Sequence, residues 1–262
     1  LEQREEGDLT PIEASDIPLE IQPLTDATNQ VMQRLQHALD HQKRFVRDAA
    51  HQLRTPLAVL KVQVQSALRG DIAAPLALQE IQETVDRATT LANQMLSLAK
   101  VEQVRQLQDF AVLDWADVVR AVALDVSPLI AEKDLDFEIH AQPCAVHAHD
   151  WMLRELVRNL LHNAVRHTPA GGHLSVRIAP QGAFAQLTVS DSGQGLSDSM
   201  RQRLFQPFST GDTKSGTGLG LAIAREIVQA LGGTIQLNNR LHHGTILGLD
   251  ACVGIPLNTN QP

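Results

Sequence analysis

The sequence predicts a multidomain protein: a long α-helical hairpin that forms a four-helix bundle with a second copy, followed by an α+β two-layer sandwich. Three observations support this fold class. Apolar residues recur at three- and four-residue spacing from Leu24 to Val101. Gly70 and Pro75 divide this stretch into two helices. After Gln108, short alternating segments mix with amphipathic ones without strict β-α-β order, which favours a sandwich over a doubly wound sheet.

The composition excludes several classes of protein. A chain of 262 residues can form one or two domains with a substantial core. Its formal net charge of −8 argues against a general nucleic-acid-binding surface. Cys144 and Cys252 are far apart and lack the spacing of metal ligands, so we expect two buried free thiols. No apolar run approaches the roughly 20 residues of a membrane span.

The first predicted helix carries a heptad pattern and the second an apolar stripe. The heptad positions are Leu24, Val31, Ala38 and Phe45 in one set and Thr28, Leu35, Gln42 and Ala49 in the other. The stripe comprises Leu76, Ile81, Val85, Ala88, Leu91, Met95, Leu98 and Val101. Two long helices joined by a short turn cannot bury these faces alone, whereas two paired hairpins can. We therefore expect a homodimer; the alternative is a monomeric hairpin packed on the rest of the chain.

The first helix contains the segment F-V-R-D-A-A-H-Q-L-R-T-P-L-A-V-L at residues 45–60. Its apolar face comprises Phe45, Ala49, Leu53, Leu57 and Leu60. His51 lies off that face, so its imidazole is expected to face water. Pro56 removes one backbone donor and predicts a kink beside His51. A neutral imidazole is well suited to be a nucleophile near pH 7, since its unperturbed pKa is about 6.5.

The C-terminal part mixes predicted strands and helices. Asp114 is expected to cap a helix that continues to Ala131, and Asp150 to cap the helix that ends near His167. The predicted strands cover residues 110–113, 135–140, 144–148, 173–179, 183–191, 234–239 and 245–252, and a further helix covers residues 218–231.

Two polar signals occur in this part. Asn159 and Asn163 lie one helical turn apart, where amide oxygens can ligate a hard cation such as Mg²⁺, although a polar helix face gives the same pattern. The motif D-S-G-Q-G begins with Asp191 at the end of an apolar strand. A carboxylate there can accept a hydrogen bond from the amine of adenine, and Gly193 and Gly195 allow a close approach of the backbone. A tight turn would use the same residues.

Two further signals follow along the chain. The motif F-Q-P-F at residues 205–208 precedes a polar segment, residues 209–215, that is long enough to form a mobile lid. The motif G-T-G-L-G-L contains Gly216, Gly218 and Gly220 and enters a helix, so its backbone donors and the helix dipole favour phosphate. Its G-x-G-x-G spacing after a loop differs from the dinucleotide-binding fingerprint.

The segment H-Q-L-R-T-P-L at residues 51–57 resembles the phospho-acceptor box of sensor histidine kinases, H-E-L-R-T-P-L, with a departure at Gln52. The order of the Asn pair, D-x-G-x-G, F-x-P-F and G-x-G-x-G resembles the N, G1, F and G2 boxes of that family's catalytic domain. The resemblance covers about residues 24–256 and implies an ATP-binding Bergerat fold for the sandwich.

The resemblance implies a role for each matched position. Asn159 and Asn163 would hold Mg²⁺ and phosphates, and Asp191 would read adenine. Arg166 would help to neutralise the triphosphate, and His167, where the family often has tyrosine, would pack near adenine. The loop contacts to ATP would come from Gly193, Gly195, Gly216, Thr217, Gly218, Leu219 and Gly220.

The same resemblance implies the chemistry. His51 would take the γ-phosphoryl group of ATP and pass it to an aspartate in the receiver domain of a response regulator. Gln52 can orient the imidazole, but it cannot take a proton near pH 7 as the usual glutamate can. Thr55 would position water for dephosphorylating the regulator, or would only pack near Pro56. Lys214 is the nearest substitute for the basic residue that often follows the F box.

Residues 1–23 resemble the end of a HAMP signalling module and its connector, which implies a membrane anchor upstream. The expected domains are therefore this connector, a dimerisation and phosphotransfer hairpin in residues 24–108, and a catalytic ATP-binding domain in residues 109–262. They would form the cytoplasmic portion of a bacterial inner-membrane protein. Two other functions stay open at this point: a GHKL-type ATPase that uses ATP for conformational change, and a phosphatase-dominant regulatory scaffold.

Overall fold

The computed structural model describes residues 10, 12, 18, 21–107, 110–201, 203–209, 217–242 and 244–258. The chain falls into two compact units, Leu1–Ala88 and Thr89–Pro262. Helix α1 spans Gln22–Arg69 and helix α2 spans Ala74–Leu107. The expected connector in residues 1–23 lies mostly outside the described residues, and the expected domain division stays a prediction. Among the described helices, none is long and apolar enough to cross a membrane.

Helix α1 ends where the sequence predicts. Its C-cap residue is Gly70, which has a left-handed φ of 77°. The N–H groups of Gly70 and Asp71 donate to the carbonyl oxygens of Ala67 and Ser66, each at 3.1 Å. Glycine adopts this conformation at little steric cost, so the last turn closes and the chain can reverse into α2.

The buried face of α2 departs from the predicted stripe near the start of the helix. Ala77 and Thr84 are buried, whereas Leu76 and Val85 are exposed. Thr84 tolerates burial because its hydroxyl donates to the carbonyl oxygen of Glu80 at 3.0 Å. Choosing the largest apolar residues therefore misplaces this part of the stripe by one position.

The described elements of the second unit that follow α2 mix strands and helices without strict alternation. In order they are β1 (Ala111–Asp114), α3 (Trp115–Glu132), β2 (Asp136–Ala141), β3 (Ala145–Ala148), α4 (Asp150–His167), β4 (His173–Gln181), β5 (Phe184–Asp191), α5 (Asp198–Arg201), α6 (Gly220–Ala230), β6 (Thr234–His242) and β7 (Thr245–Pro256). A five-stranded sheet has the order β2-β4-β5-β7-β6. Strands β2 and β4 are parallel and the other neighbours antiparallel, and β1 pairs with β3 separately.

Helices α3, α4 and α6 pack on the five-stranded sheet, which confirms the predicted α+β two-layer sandwich. Alternate residues of the central strands enter the core between the layers. Fully buried side chains on the two sides include Leu153, Leu156, Leu160, Ile223 and Ile227 from the helices and Leu174, Ile178 and Leu187 from the strands.

The predicted capping residues have different outcomes. The Oδ1 atom of Asp114 accepts from the N–H of Ala116 at 3.0 Å, which confirms the cap of α3. The predicted cap of α4 is wrong, because His149 occupies the N-cap position without a side-chain bond. Asp150 is instead the first helical residue and binds Arg154 Nε at 2.6 Å. A carboxylate in the first turn still favours the helix through its dipole.

Several smaller differences concern element length and burial. Strands β6 and β7 extend beyond their predicted ends to His242 and Pro256. The short helix α5 was not predicted. Both cysteines are free; Cys144 is buried as expected, whereas Cys252 is only half-buried. Burial raises the pKa of each thiol, which keeps them protonated and unreactive near pH 7.

Candidate functional site

Helix α1 carries the first group of candidate residues. His51, Gln52 and Thr55 all have exposed side chains, whereas Leu53 and Pro56 are half-buried. The expected orientation of the imidazole toward solvent is therefore confirmed. An exposed imidazole on a helix surface is accessible to a phosphoryl donor and to a second protein.

Asp191 is the most buried acidic candidate. It ends β5 and is 3% exposed. The described residues donate two hydrogen bonds to its carboxylate, and both reach Oδ1: from the N–H of Gly193 at 2.8 Å and from the N–H of Leu249 at 3.3 Å. Burial raises the pKa of Asp191, while these bonds and the nearby His167 and Arg240 oppose the shift. Because one oxygen is held, the other can accept from a ligand.

The two glycines after Asp191 lie in places where a side chain would collide. A Cβ atom added to Gly193 would lie 2.6 Å from the carbonyl oxygen of His167. Gly195 has φ of 69°, and an added Cβ would lie 2.7 Å from Asn239 Oδ1. The Asn239 carboxamide also accepts from the N–H and donates to the carbonyl oxygen of Leu196, both at 2.8 Å. The loop is thus packed against His167 on one side and hydrogen-bonded to Asn239 on the other.

The end of helix α4 is held by Lys133, a residue that the sequence analysis did not identify. Its Nζ donates to the carbonyl oxygens of Val165, Arg166 and Thr168 at 2.8, 2.9 and 2.9 Å. An ammonium group at this position satisfies carbonyls that have no partner within the helix and complements the negative end of its dipole. The segment that carries Arg166 and His167 is therefore fixed.

Partial desolvation is the main cause of the pKa shifts at this helix end, although the side chains of Arg166 and His167 keep exposed surface. Burial lowers the pKa of His167, as do the neighbouring Arg166 and Lys133, whereas Asp191 acts in the opposite direction. Burial also lowers the pKa of Arg166. A neutral imidazole at His167 can pack beside an aromatic base without adding a second positive charge.

The Asn159 amide is oriented by its neighbour one turn earlier. Its Nδ2 donates to the carbonyl oxygen of Glu155 at 2.9 Å and to Glu155 Oε1 at 3.1 Å. Its Oδ1 faces the start of α6, because a Cβ added to Gly220 would lie 3.0 Å from that oxygen. Asn163, one turn further along α4, is half-buried. Within the described residues, no cluster of three or more His, Cys, Asp or Glu could hold a metal ion.

The start of α6 lies against the F-Q-P-F motif. Gly218 has φ of 68°, and an added Cβ would lie 2.8 Å from the carbonyl carbon of Phe208. The N–H of Phe208 donates to the carbonyl oxygen of Gly218 at 3.1 Å. The Thr217 hydroxyl accepts from the N–H of Leu219 at 3.4 Å and forms a hydrogen bond with Gln94 Oε1 of α2. The N-terminus of α6 has no side-chain cap, so its backbone donors can receive phosphate.

Helix α4 connects these groups. Its C-terminal half carries Asn159, Asn163, Arg166 and His167. The Asn159 side chain lies beside Gly220 of the glycine-rich loop, and the carbonyl of His167 lies beside Gly193 of the loop after Asp191. Most of the predicted nucleotide residues are thus brought together within the second unit. Lys214 and Gly216 lie outside the described residues.

Three family models match the chain. Residues 149–253 match the histidine kinase-, DNA gyrase B- and HSP90-like ATPase, residues 41–104 match the His Kinase A (phospho-acceptor) domain, and residues 1–37 match the sensor protein PhoQ-like HAMP domain. The chain belongs to the sensor histidine kinases of two-component systems. The ATPase domain of this sensor histidine kinase coincides with the site built around α4, which supports ATP as its ligand.

A curated relative and two solved structures are similar to this chain. The sensor protein kinase PmrB of Pseudomonas aeruginosa is 34% identical over 261 residues, covering 98% of this histidine kinase chain and 54% of PmrB. The Acinetobacter baumannii histidine kinase AdeS has a TM-score of 0.65 at 24% identity, covering 80% of this chain and 98% of that one. Histidine kinase ThkA, solved with the response regulator TrrA, has a TM-score of 0.66 at 19% identity, covering 87% and 65%. The two structures support the fold, and the chain spans about half the length of PmrB.

Proposed function

We propose that this chain catalyses ATP-dependent phosphorylation of His51 and then transfers the phosphoryl group to an aspartate of a response regulator. His51 carries this proposal, because it is an exposed imidazole within the segment that matches the phospho-acceptor domain. The solved complex of ThkA with TrrA supports a receiver domain as the partner class.

The nucleotide would bind along helix α4. Asp191 would accept from the exocyclic amine of adenine, and His167 would pack beside the base. Arg166 would neutralise part of the triphosphate, together with Lys214. The glycines of both loops and the open N-terminus of α6 would supply backbone donors that a side chain would otherwise block.

The Asn159 and Asn163 amides fit a hard divalent cation. The amide nitrogen of Asn159 is occupied by Glu155, so its oxygen is the atom presented to the phosphate loop. Mg²⁺ prefers such oxygen ligands and, when bound, would neutralise charge on the phosphates.

The chemical step requires alignment more than covalent assistance from other residues. A lone pair on one ring nitrogen of His51 forms the N–P bond while the P–O bond to the β-phosphate breaks, and its electrons leave with ADP. The proton on the other ring nitrogen is then released to water. Gln52 would orient the ring through that N–H, and Thr55 would place water when the regulator is dephosphorylated.

The active form would be a homodimer. Leu57 and Val64 on α1, and Leu78 and Val85 on α2, are exposed and lie seven residues apart within each pair. This spacing supports the pairing of two hairpins into a four-helix bundle. The match of residues 1–37 to a HAMP domain supports a membrane anchor and sensor domain upstream, with this chain on the cytoplasmic side of a bacterial inner membrane.

Labelling with γ-³²P-ATP tests the proposal. The wild-type chain is expected to acquire acid-labile, alkali-stable label, and His51→Ala to acquire none. His147→Ala, which removes another exposed histidine, is the matched control and should label normally. ATP hydrolysis without protein label would support a conformational ATPase instead, and neither activity would support a scaffold.

A further inference from the structure

Arg240 on β6 contacts the candidate base-reading residue Asp191, although another strand lies between them. The sheet order places β7 between β5 and β6, with Arg240 opposite Gly248 and Asp191 opposite Leu249. Arg240 Nη2 donates to the main-chain carbonyl oxygen of Asp191 at 2.8 Å. Its Nη1 binds Asp250 Oδ1 at 2.7 Å. One guanidinium therefore bridges a neighbouring strand and the end of β5.

Gly248 makes this reach possible. A Cβ atom at that position would lie 1.8 Å from the carbonyl oxygen of Asp191 and 2.9 Å from Arg240 Nη2. Even the smallest side chain would occupy the path of the guanidinium and displace the end of β5. Arg240 can therefore reach Asp191 only because residue 248 of the intervening strand β7 is glycine.

We propose that Arg240 is a positioning residue that sets the orientation of Asp191 for recognition of the adenine amine. The inference deepens the proposed function, because it rests on Asp191 reading adenine. Asp191 pairs with Leu174 of β4 and Leu249 of β7, but it is the last residue of β5, so strand pairing does not hold the glycine-containing loop that follows it. A bond to its carbonyl fixes the peptide plane after Asp191, and with it the direction of the carboxylate.

The positive charge of Arg240 also favours recognition of the adenine amine, because it favours the ionised carboxylate of Asp191. Burial favours the protonated form of the Asp191 carboxyl, which would donate rather than accept at one oxygen. The positive charge of Arg240 opposes that effect. The Asp250 carboxylate in turn fixes the guanidinium, since arginine presents its donors in a rigid fork.

The chain contains a matched control for this arrangement. Arg120 Nη1 binds Asp117 Oδ1 at 2.7 Å, and its Nη2 donates to the carbonyl oxygen of Ala141 at 2.8 Å. Like Arg240, it bridges a carboxylate and a backbone carbonyl in the second unit. Ala141 ends the edge strand β2 and pairs with Ile178, away from the end of β4 that pairs with Asp191.

Affinities for ATP and inosine triphosphate test the inference, because inosine carries a carbonyl in place of the exocyclic amine. Equilibrium binding to the whole chain is measured for wild type, Arg240→Met, Arg120→Met and Asp191→Asn. The wild type should prefer ATP. We expect Arg240→Met to lose about tenfold in ATP affinity, as one good hydrogen bond would give, and much less in inosine triphosphate affinity. Arg120→Met should keep both affinities.

The outcomes separate the inference from the proposed function. If Asp191→Asn loses the preference for ATP while Arg240→Met keeps it, the role of Arg240 is overturned and that of Asp191 stands. If Asp191→Asn keeps the preference, adenine reading by Asp191 fails and the inference fails with it. Should Arg240→Met not fold, Asp250→Ala removes the oxygen that anchors the guanidinium. That variant should then show a smaller loss of the same preference, and an unchanged preference would overturn the inference.

Discussion

The two units of the chain use apolar side chains in different ways. In the second unit, Leu156, Leu187 and Ile223 have no exposed surface, because the sheet and its helices enclose them. In the first unit, Leu57 is 60% exposed and Leu78 is 66% exposed. A unit with an enclosed core is complete as one copy, whereas the large apolar residues exposed on these helices would be covered in the proposed dimer.

The candidate functional residues of the two units differ in exposure in the same way. His51 stands on an exposed helix surface, where in the proposed reaction first a nucleotide and then a second protein would reach it. Asp191 is buried and held through its carboxylate by Gly193 and Leu249 and through its carbonyl by Arg240. A group that serves two partners must stay accessible, whereas a group that recognises one ligand gains from being fixed before binding.

The largest expected effect is a loss of dimer affinity in the first unit, with ATP binding by the second unit unchanged. Leu57→Glu places a charge on the face that we propose to be covered in the dimer. An unpaired buried charge costs about 3 kcal/mol or more, which corresponds to a loss of at least about 100-fold in dimer affinity. Sedimentation analysis should therefore find a monomer that still binds ATP.

The matched control for this variant is Leu124→Glu. Leu124 is an equally apolar residue, 73% exposed, but it lies on α3 of the second unit. This variant should sediment as the wild type does. A dimer that survives Leu57→Glu would contradict the proposed pairing.

A second, smaller effect weakens the second unit alone. Lys133→Met keeps an apolar stem but leaves the carbonyl oxygens of Val165, Arg166 and Thr168 without their common donor. We expect the free energy of unfolding to fall by about 2 kcal/mol, since hydrogen bonds from charged groups contribute about 1.5–3 kcal/mol. Denaturation followed by the signal of Trp115 and Trp151, both in this unit, measures the loss.

Two control variants accompany Lys133→Met: one keeps the charge at residue 133, and the other removes a different lysine. Lys133→Arg can still donate to several carbonyls and should recover part of the stability. Lys100→Met removes an ammonium that lies 4.3 Å from the ring of Trp151, a contact worth about 0.5–1 kcal/mol at an exposed site. Equal losses for Lys133→Met and Lys100→Met would contradict the capping role.

Features that depend on a few neighbouring residues could be predicted from the sequence. Gly70 ends α1 because a left-handed residue closes the helix, and Asp114 caps α3 through a hydrogen bond two residues away. The Asn159 pair, the Asp191 loop and the glycine-rich loop were identifiable because each is a short pattern whose spacing has a physical reason.

Contacts set by strand order could not be predicted in this way. Arg240 and Gly248 contact Asp191 because β7 lies between β5 and β6 in the sheet. No local sequence pattern predicts that strand order. Lys133 reaches the end of α4 across more than thirty residues of sequence. The wrong cap at Asp150 has a different cause: the residue type suits the position equally well one place further into the helix.

A third prediction sharpens the comparison on the side of His51. Gln52→Glu restores a carboxylate beside the imidazole, on the exposed surface of α1. A carboxylate can take the ring proton, so we expect autophosphorylation to become several-fold faster at pH 6 to 8. This gain is smaller than the roughly 100-fold or larger effect of a fully effective general base. Initial rates of label incorporation at saturating ATP give the comparison. An unchanged rate across that pH range would show that charge at this position does not matter.

The smallest expected effect is a pH dependence that belongs to the second unit. Partial desolvation lowers the pKa of the His162 and His167 imidazoles, although both side chains keep exposed surface; for His162 the nearby Arg158 acts in the same direction while Glu155 opposes it. Below the unfolded value of about 6.5, the unfolded chain therefore binds more protons than the folded chain. The free energy of unfolding should fall as pH drops from about 6.5 through the lowered pKa, and these groups should have no effect above pH 7.5.

His162→Gln isolates one of these contributions without altering a candidate nucleotide residue. Its unfolding free energy, measured without nucleotide between pH 5 and 8, should depend less steeply on pH below 6.5 than that of the wild type. The range above pH 7.5 is the internal control, since both forms of residue 162 are then neutral. Asp191 acts with the opposite sign, because its raised pKa stabilises the folded state as pH falls toward about 4. A slope below pH 6.5 that is the same in His162→Gln and wild type would mean that this imidazole is not desolvated by folding.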